Sequence, residues 1–223
     1  MIDIKVEALT CEYRTNPLGI DIKKPRFSWK FQSDRRGTMQ TAYQIQVSPN
    51  QKSFTEILWD TGVVLSDESI HIEYSGPELN PRTRYFYRVK IWDNFVRESN
   101  WSETAWWETG LLDPKEWQAE WITPEPNEID PLTESIFLLR KEFTLKTGIS
   151  SARIYGTGVG LYELFLNGER VSDELLAPGW TSYHKRLQYQ TYDVTAQLQD
   201  GSHAIGIMLA DGWYKGNLVR ENN

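Results

Sequence analysis

A chain of 223 residues with 39% hydrophobic content is long enough for two ordinary domains or one large one, with material for packed cores. A net charge of −7, with no basic stripe between the aromatics, argues against capture of nucleic-acid phosphate and of anionic membranes. Cys11 is the single cysteine, which excludes an internal disulfide and a cysteine metal cluster and reads as a buried, inert thiol.

The 10 Trp and 11 Tyr lean toward β-sandwiches and carbohydrate-facing surfaces, because flat amphipathic rings fill sheet cores and also stack on the C–H faces of sugars. The first use is the commoner. The opening residues, MIDIKVEALTCEYRT, mix charges into every few positions and lack the apolar core of a secretion signal. No segment has the apolar length to span a bilayer. The expectation is a soluble, cytoplasmic protein, provided the start is the native one.

From about Ile4 to Gly110 the pattern is short alternating strands at sandwich-like spacing. Phe27, Trp29 and Phe31 fall on one strand face, with Trp29 expected at the core centre. Tyr43, Ile45 and Val47 repeat the device. Leu79 to Tyr85, followed by Tyr87, Val89 and Ile91, resembles the corner and sixth strand of a fibronectin type III domain, in which Tyr85 packs inward while its hydroxyl bonds backbone across the bend. The carboxylates Asp60, Asp67, Glu68 and Asp93 are scattered among turns and read as solvated.

Proline and acidic residues mark the connection between two domains, with the boundary between about Gly110 and Trp117 and the PEPNEIDPLTES segment exposed. Trp121 is expected to dock into the second domain. From Phe137 the strand pattern resumes, and its sharpest feature is Asn167-Gly168. Both residues tolerate the positive φ of a two-residue type I′ turn, so Leu164 to Leu166 and the run to Val171 should pair antiparallel. Ala177-Pro178-Gly179-Trp180 then breaks the strand and presents an indole beside a rigid turn, with Thr181-Ser182-Tyr183 continuing the surface. Gly156, Gly158 and Gly160 lack the following helix of a phosphate loop and suit close backbone approach in a bent strand. His71, His184 and His203 have no metal-ligand spacing, and no Gly-x-Ser-x-Gly elbow is present.

Taken together, the ordered motifs resemble the N-terminal portion of a bacterial α-L-rhamnosidase of glycoside hydrolase family 78. The first domain carries Cys11-Glu12-Tyr13, Asn16 to Asp21, Pro25 to Trp29, Gln40 to Tyr43 and Trp59 to Gly62; the second carries Leu166 to Gly168, Leu176 to Thr181, Tyr189 to Val194 and Asp211 to Gly216. The resemblance implies an all-β chain. A fibronectin type III-like (immunoglobulin-like) sandwich at 1–112 and a linker at 113–136 would precede a jelly-roll-type β-sandwich at 137–223, incomplete at its C-terminus. It also implies a downstream (α/α)6 barrel holding the two catalytic carboxylates, one protonating the leaving oxygen and the other activating water for inversion. No catalytic residue is therefore assigned here, and the expected partners are rhamnosides and that missing domain.

For sugar contact the candidates are Trp180, Tyr183, Asp211, Trp213 and Tyr214, as ring faces and a hydroxyl-reading carboxylate. The competing reading has the tryptophans plugging the sandwich or facing the barrel. Related modules hold calcium with an Asp-Asn pair just before Leu-x-Pro-Gly-Trp; Asp173-Glu174 occupies that place, making calcium the one cofactor to test, against a solvated acidic turn. A free-standing adhesion or protein-interaction module is the alternative function.

Overall fold

The computed structural model describes residues 4–50, 54–125, 136–146 and 148–215. Two compact units divide the chain, Met1–Gln118 and Ala119–Asn223. The first extends past residue 112 because a short 3-10 turn at Pro114–Glu116 is tied back by an Arg82–Glu116 ion pair of 2.6 Å. No helix among the described residues is long and apolar enough to cross a membrane.

In the first unit, β1 (Lys5–Cys11), β2 (Arg26–Gln32) and β5 (Ile72–Glu73) form one sheet. The facing sheet orders β4 (Trp59–Asp60), β3 (Gln40–Ser48), β6 (Arg84–Asp93) and β7 (Ala105–Glu108), and every pairing is antiparallel. The two-residue period sorts each strand into faces. On β6, Tyr85, Tyr87, Val89 and Ile91 are buried while Arg84, Arg88, Lys90 and Trp92 turn outward. Trp29 is buried, with its indole N–H donating to Gln40 Oε1 at 2.9 Å, yet the centre of the aromatic packing is Trp107. Rings of Phe27, Tyr74, Tyr85 and Tyr87 surround it at centroid distances of 5.2, 6.3, 5.3 and 5.8 Å. The corner forms as expected: Tyr85 is buried and its hydroxyl accepts from the Asn80 N–H at 2.9 Å. Cys11 is fully buried, and burial pushes its thiol far above the usual range.

Asp93 departs from the solvated reading. It is 2% exposed, and its carboxylate accepts from the backbone N–H groups of Phe95 and Arg97 at 3.0 and 2.8 Å and from Arg97 Nε at 2.9 Å. The hairpin from β6 turns over Asn94–Val96, and Asp93 satisfies amides that the reversal leaves unpaired. Asp60, Asp67 and Glu68 are exposed.

The second unit contains β8 (Phe137–Leu145), β9 (Arg153–Gly156), β10 (Leu161–Leu166), β11 (Glu169–Arg170), β12 (Gln190–Asp193) and β13 (Gly201–Ala210). A four-stranded antiparallel sheet runs β11-β10-β13-β8, and β12 pairs with β9. The core is Tyr162, Leu164, Leu166, Ala177, Tyr192 and Val194, with Ile154, Ile205, Ile207 and Leu209 half-buried against it. Asn167 and Gly168 have φ of 54° and 87°, and Leu166 pairs with Glu169, as a type I′ turn requires. Close backbone approach is seen at Gly160, where φ is 135° and a β-carbon would collide with the Ala210 carbonyl oxygen. Two expectations change or fall outside. Trp121 is 66% exposed rather than docked, in a stretch that belongs to no strand or helix. Most of PEPNEIDPLTES lies outside the described residues.

Tyr85→Phe removes the acceptor of a part-buried backbone N–H, so urea denaturation should show a loss of about 1–2 kcal/mol. Burial alone would raise the Asp93 carboxyl, but the hydrogen bonds from Arg97 and Phe95 and the Arg97 charge outweigh it and hold it below its usual range. Its stabilisation is therefore complete above about pH 4 and is lost as the pH falls through the folded-state value. Asp93→Asn should cost roughly 1–3 kcal/mol at neutral pH and flatten that acid limb, read from urea midpoints at about pH 7 and about pH 3.

Candidate functional site

The candidate residues of the second unit gather on two segments, the loop after β11 and the turn after β13. The loop is anchored before it becomes exposed. The Tyr162 N–H donates to the Ala177 carbonyl at 2.9 Å, and Ala177 and Pro178 are buried across a cis peptide bond. Gln190 Nε2 donates to the Pro178 carbonyl at 3.1 Å. Gly179 follows with φ of 97°, in a space where a β-carbon would crowd Gln188 Oε1. Trp180 then emerges 64% exposed. Beyond it the chain turns back on itself, with Lys185 N–H donating to Ser182 O at 2.7 Å and Thr181 Oγ1 to Arg186 O at 2.5 Å.

The second segment is a single helical turn, α1 (Gly212–Lys215). It brings four of the five sugar candidates together. Trp180 and Trp213 lie nearly parallel, 17° apart with centroids at 6.4 Å, and Tyr183 meets Tyr214 edge-on at 5.5 Å. Tyr214 is 48% exposed. Trp180 is therefore not a core plug; its indole is presented to the outside beside Trp213, which is half-buried. Asp211, half-buried, immediately precedes the turn.

Asp173 and Glu174 are exposed, and the Glu174 N–H donates to Ser172 Oγ at 3.0 Å. Among the described residues no three His, Cys, Asp or Glu side chains come together as a metal-ligand set. Calcium takes roughly six to eight oxygens, which the two carboxylates alone do not supply. Glu174 instead lines a shallow polar depression, of about 10 Å³ and so sized for a single water, with Tyr162, Glu163, Arg170, Ser172, Ala177 and Tyr192.

Three positioning residues went unselected in the sequence. The Tyr162 hydroxyl lies 2.7 Å from Gln190 Oε1, 2.9 Å from the Gly156 carbonyl and 3.3 Å from the Tyr192 hydroxyl. Gln190 thus ties this buried pair to the Pro178 carbonyl, one step from the exposed indole. Burial, reinforced by the Tyr192 hydroxyl, pushes the Tyr162 phenol far up; burial and the Glu174 carboxylate also raise Tyr192, although its bond to Tyr162 works the other way. Both stay protonated at neutral pH and act as fixed hydrogen-bonding struts, not proton carriers. The available signal was their inward register on strands flanking the loop.

The first unit matches the Rha78A-like N-terminal immunoglobulin domain over residues 6–113, and the second matches the alpha-L-rhamnosidase N-terminal domain over residues 147–223. These are the N-terminal domains of the α-L-rhamnosidase family. An α-L-rhamnosidase of Formosa agariphila is 35% identical across 94% of this chain and 24% of its own length; one from Alteromonas sp. is 36% identical across 92% and 23%. The chain thus spans about a quarter of the length of these curated relatives. The structure of α-L-rhamnosidase from Dictyoglumus thermophilum superposes with a TM-score of 0.88 at 39% identity, over 95% of this chain and 25% of that one. A Streptomyces avermitilis α-L-rhamnosidase complexed with L-rhamnose gives 0.88 at 25% identity, over 96% and 37%.

Trp180→Ala should leave urea stability within about 0.5 kcal/mol, because the indole is exposed, while removing the near-ultraviolet circular-dichroism signal of the parallel indole pair. Gln190→Ala should cost about 1–2 kcal/mol and weaken the same signal by releasing the Pro178 carbonyl and the Tyr162 hydroxyl together.

Proposed function

We propose that this chain is the noncatalytic, N-terminal accessory portion of an α-L-rhamnosidase, which releases terminal α-L-rhamnose from glycosides in a further domain of the same polypeptide. The observation that carries the reading is the match of both units, in order, to rhamnosidase N-terminal domains while only about a quarter of each relative's length is spanned. In that further domain two carboxylates would divide the work, a general acid on the leaving oxygen and a general base on water, with inversion at the anomeric carbon. None of the carboxylates in this chain is assigned to those roles.

The packing of the second unit supports a partner surface. The face of β8 turned toward the core, carrying Phe137, Leu139, Phe143 and Leu145, is only half-buried, and Leu138 on its other face is 74% exposed. Apolar area of this kind gains free energy when a neighbouring domain covers it. The exposed Trp180 and Tyr214 rings favour a second contribution, contact with carbohydrate through their faces.

Purified residues 1–223 should release no nitrophenolate from an aryl α-L-rhamnoside, whereas the full reading frame should turn it over. Hydrolysis by the 223-residue chain would overturn the accessory reading. An encoding frame that stops after Asn223 would favour a free-standing binding module.

A further inference from the structure

The Asn167-Gly168 turn is tied to β13 by one side chain that makes three hydrogen bonds, and one of its partners is a buried histidine. Asn167 Oδ1 accepts from the Ala204 N–H at 3.0 Å, and Nδ2 donates to the Gln197 carbonyl at 3.4 Å and to His203 Nδ1 at 2.9 Å. The backbone N–H of Asn167 also donates to the Ala204 carbonyl at 2.8 Å. His203 is 5% exposed, stacks on Phe143 with centroids 5.6 Å apart, and places Nε2 2.6 Å from the Gln199 carbonyl.

These partners define the imidazole. A carbonyl can only accept, so Nε2 carries the proton, and Nδ1 must accept from the Asn167 amide. The amide cannot be reversed without facing its NH2 group toward the Ala204 N–H. The imidazole is therefore neutral in this arrangement. A second proton on Nδ1 sets N–H against N–H, and rotating Asn167 to relieve that clash moves the clash to Ala204. The charged groups nearest in register are Glu142 and Lys141 of β8, opposite Ala204 and Ile205, and Glu169 of β11, opposite Leu166; Asp200 precedes β13 in the chain. None of them is hydrogen-bonded to the ring, so none offers the second N–H an acceptor.

We propose that His203 and Asn167 form an acid-sensitive latch that ties the Asn167-Gly168 turn of the β10–β11 hairpin to β13 when the imidazole is neutral and loosens that turn on protonation. The hairpin leads directly into residues 171–180, whose far end is held separately by the Tyr162–Ala177 and Gln190–Pro178 bonds, so the latch acts on the start of that loop. Histidine is the side chain that ordinarily changes charge in mildly acidic solution, a range in which Asp93 of the first unit is still ionised.

Hydrogen exchange of the full chain at about pH 8 and about pH 5, corrected for intrinsic exchange, provides the test. The Asn167 and Ala204 amides should lose about tenfold in protection at the lower pH, the equivalent of one hydrogen bond, while Ile45 and Val89 of the first unit stay unchanged. Asn167→Asp should reverse the sign: its carboxylate still accepts from Ala204 and now also accepts the second imidazole N–H, so protection holds or rises on acidification. His203→Gln should make both amides indifferent to pH over this range. Unchanged protection in the native chain, or an equal loss in Asn167→Asp, would overturn the latch.

Discussion

The second unit depends on the left-handed reversal at Asn167-Gly168. The side-chain period of a strand is two, so a slip of one residue at this turn would rotate Tyr162, Leu164 and Leu166 from the core to solvent. With the register held, Tyr162 faces inward to meet Tyr192 and Gln190, its own N–H captures the Ala177 carbonyl, and the following loop leaves the sheet at a defined point. The position of Trp180 is thus a consequence of backbone torsions well upstream of it. The Asn side chain adds what glycine at the same torsion would not, a three-way tie to β13 and the 3-10 turn at Thr195–Gln197.

Aromatic residues serve different purposes in the two units. In the first, most are consumed by structure, Tyr13 being an exposed exception. Trp107 sits inside a cage of rings, and on the outer face the Arg84 guanidinium lies 3.9 Å from the Trp106 ring centre while Arg88 is held between Phe54 and Trp101 at 4.2 and 4.4 Å. A guanidinium plane over an indole satisfies both the cation and the apolar ring face, so these tryptophans have their faces covered already. In the second unit the rings of Trp180 and Tyr214 have much of their area open. The distinction is one of contact, not of residue type, and it separates a scaffold from a surface that can meet a ligand.

The proposed accessory role asks recognition of that surface, not bond cleavage. Ring faces meet polarised C–H groups, and the phenols of Tyr162 and Tyr192 are held protonated in the depression beside the loop. Buried phenols already bonded to one another and to Gln190 are not the matched acid and base that glycoside hydrolysis needs. In the proposed α-L-rhamnosidase this would leave recognition and support to the N-terminal end and bond cleavage to the further domain.

Much of this was legible in the residues because the determining signals are local. Alternation marked β2, β3 and β6 with their buried faces, Asn-Gly specified the hairpin, and the Leu79–Tyr85 corner specified a hydroxyl-to-backbone bond; all of these depend on torsions or on neighbours within a few positions. What the sequence could not decide involves partners distant along the chain. Asp93 looks like any turn carboxylate until the reversal after β6 folds Phe95 and Arg97 over it, and Trp107 became the core centre in preference to Trp29 only when rings from β2 and β6 and that of Tyr74, just beyond β5, converged. Likewise the pairing of Trp180 with Trp213, and the chain from Tyr162 through Gln190 to Pro178, join residues dozens of positions apart. Sequence by itself determined the strands, the turns and the family resemblance, because those are written in short-range periodicity and backbone preference. Tertiary structure alone decided which polar groups are desolvated and which aromatic faces remain open, because burial and hydrogen-bond satisfaction are properties of the assembled surroundings and not of any residue.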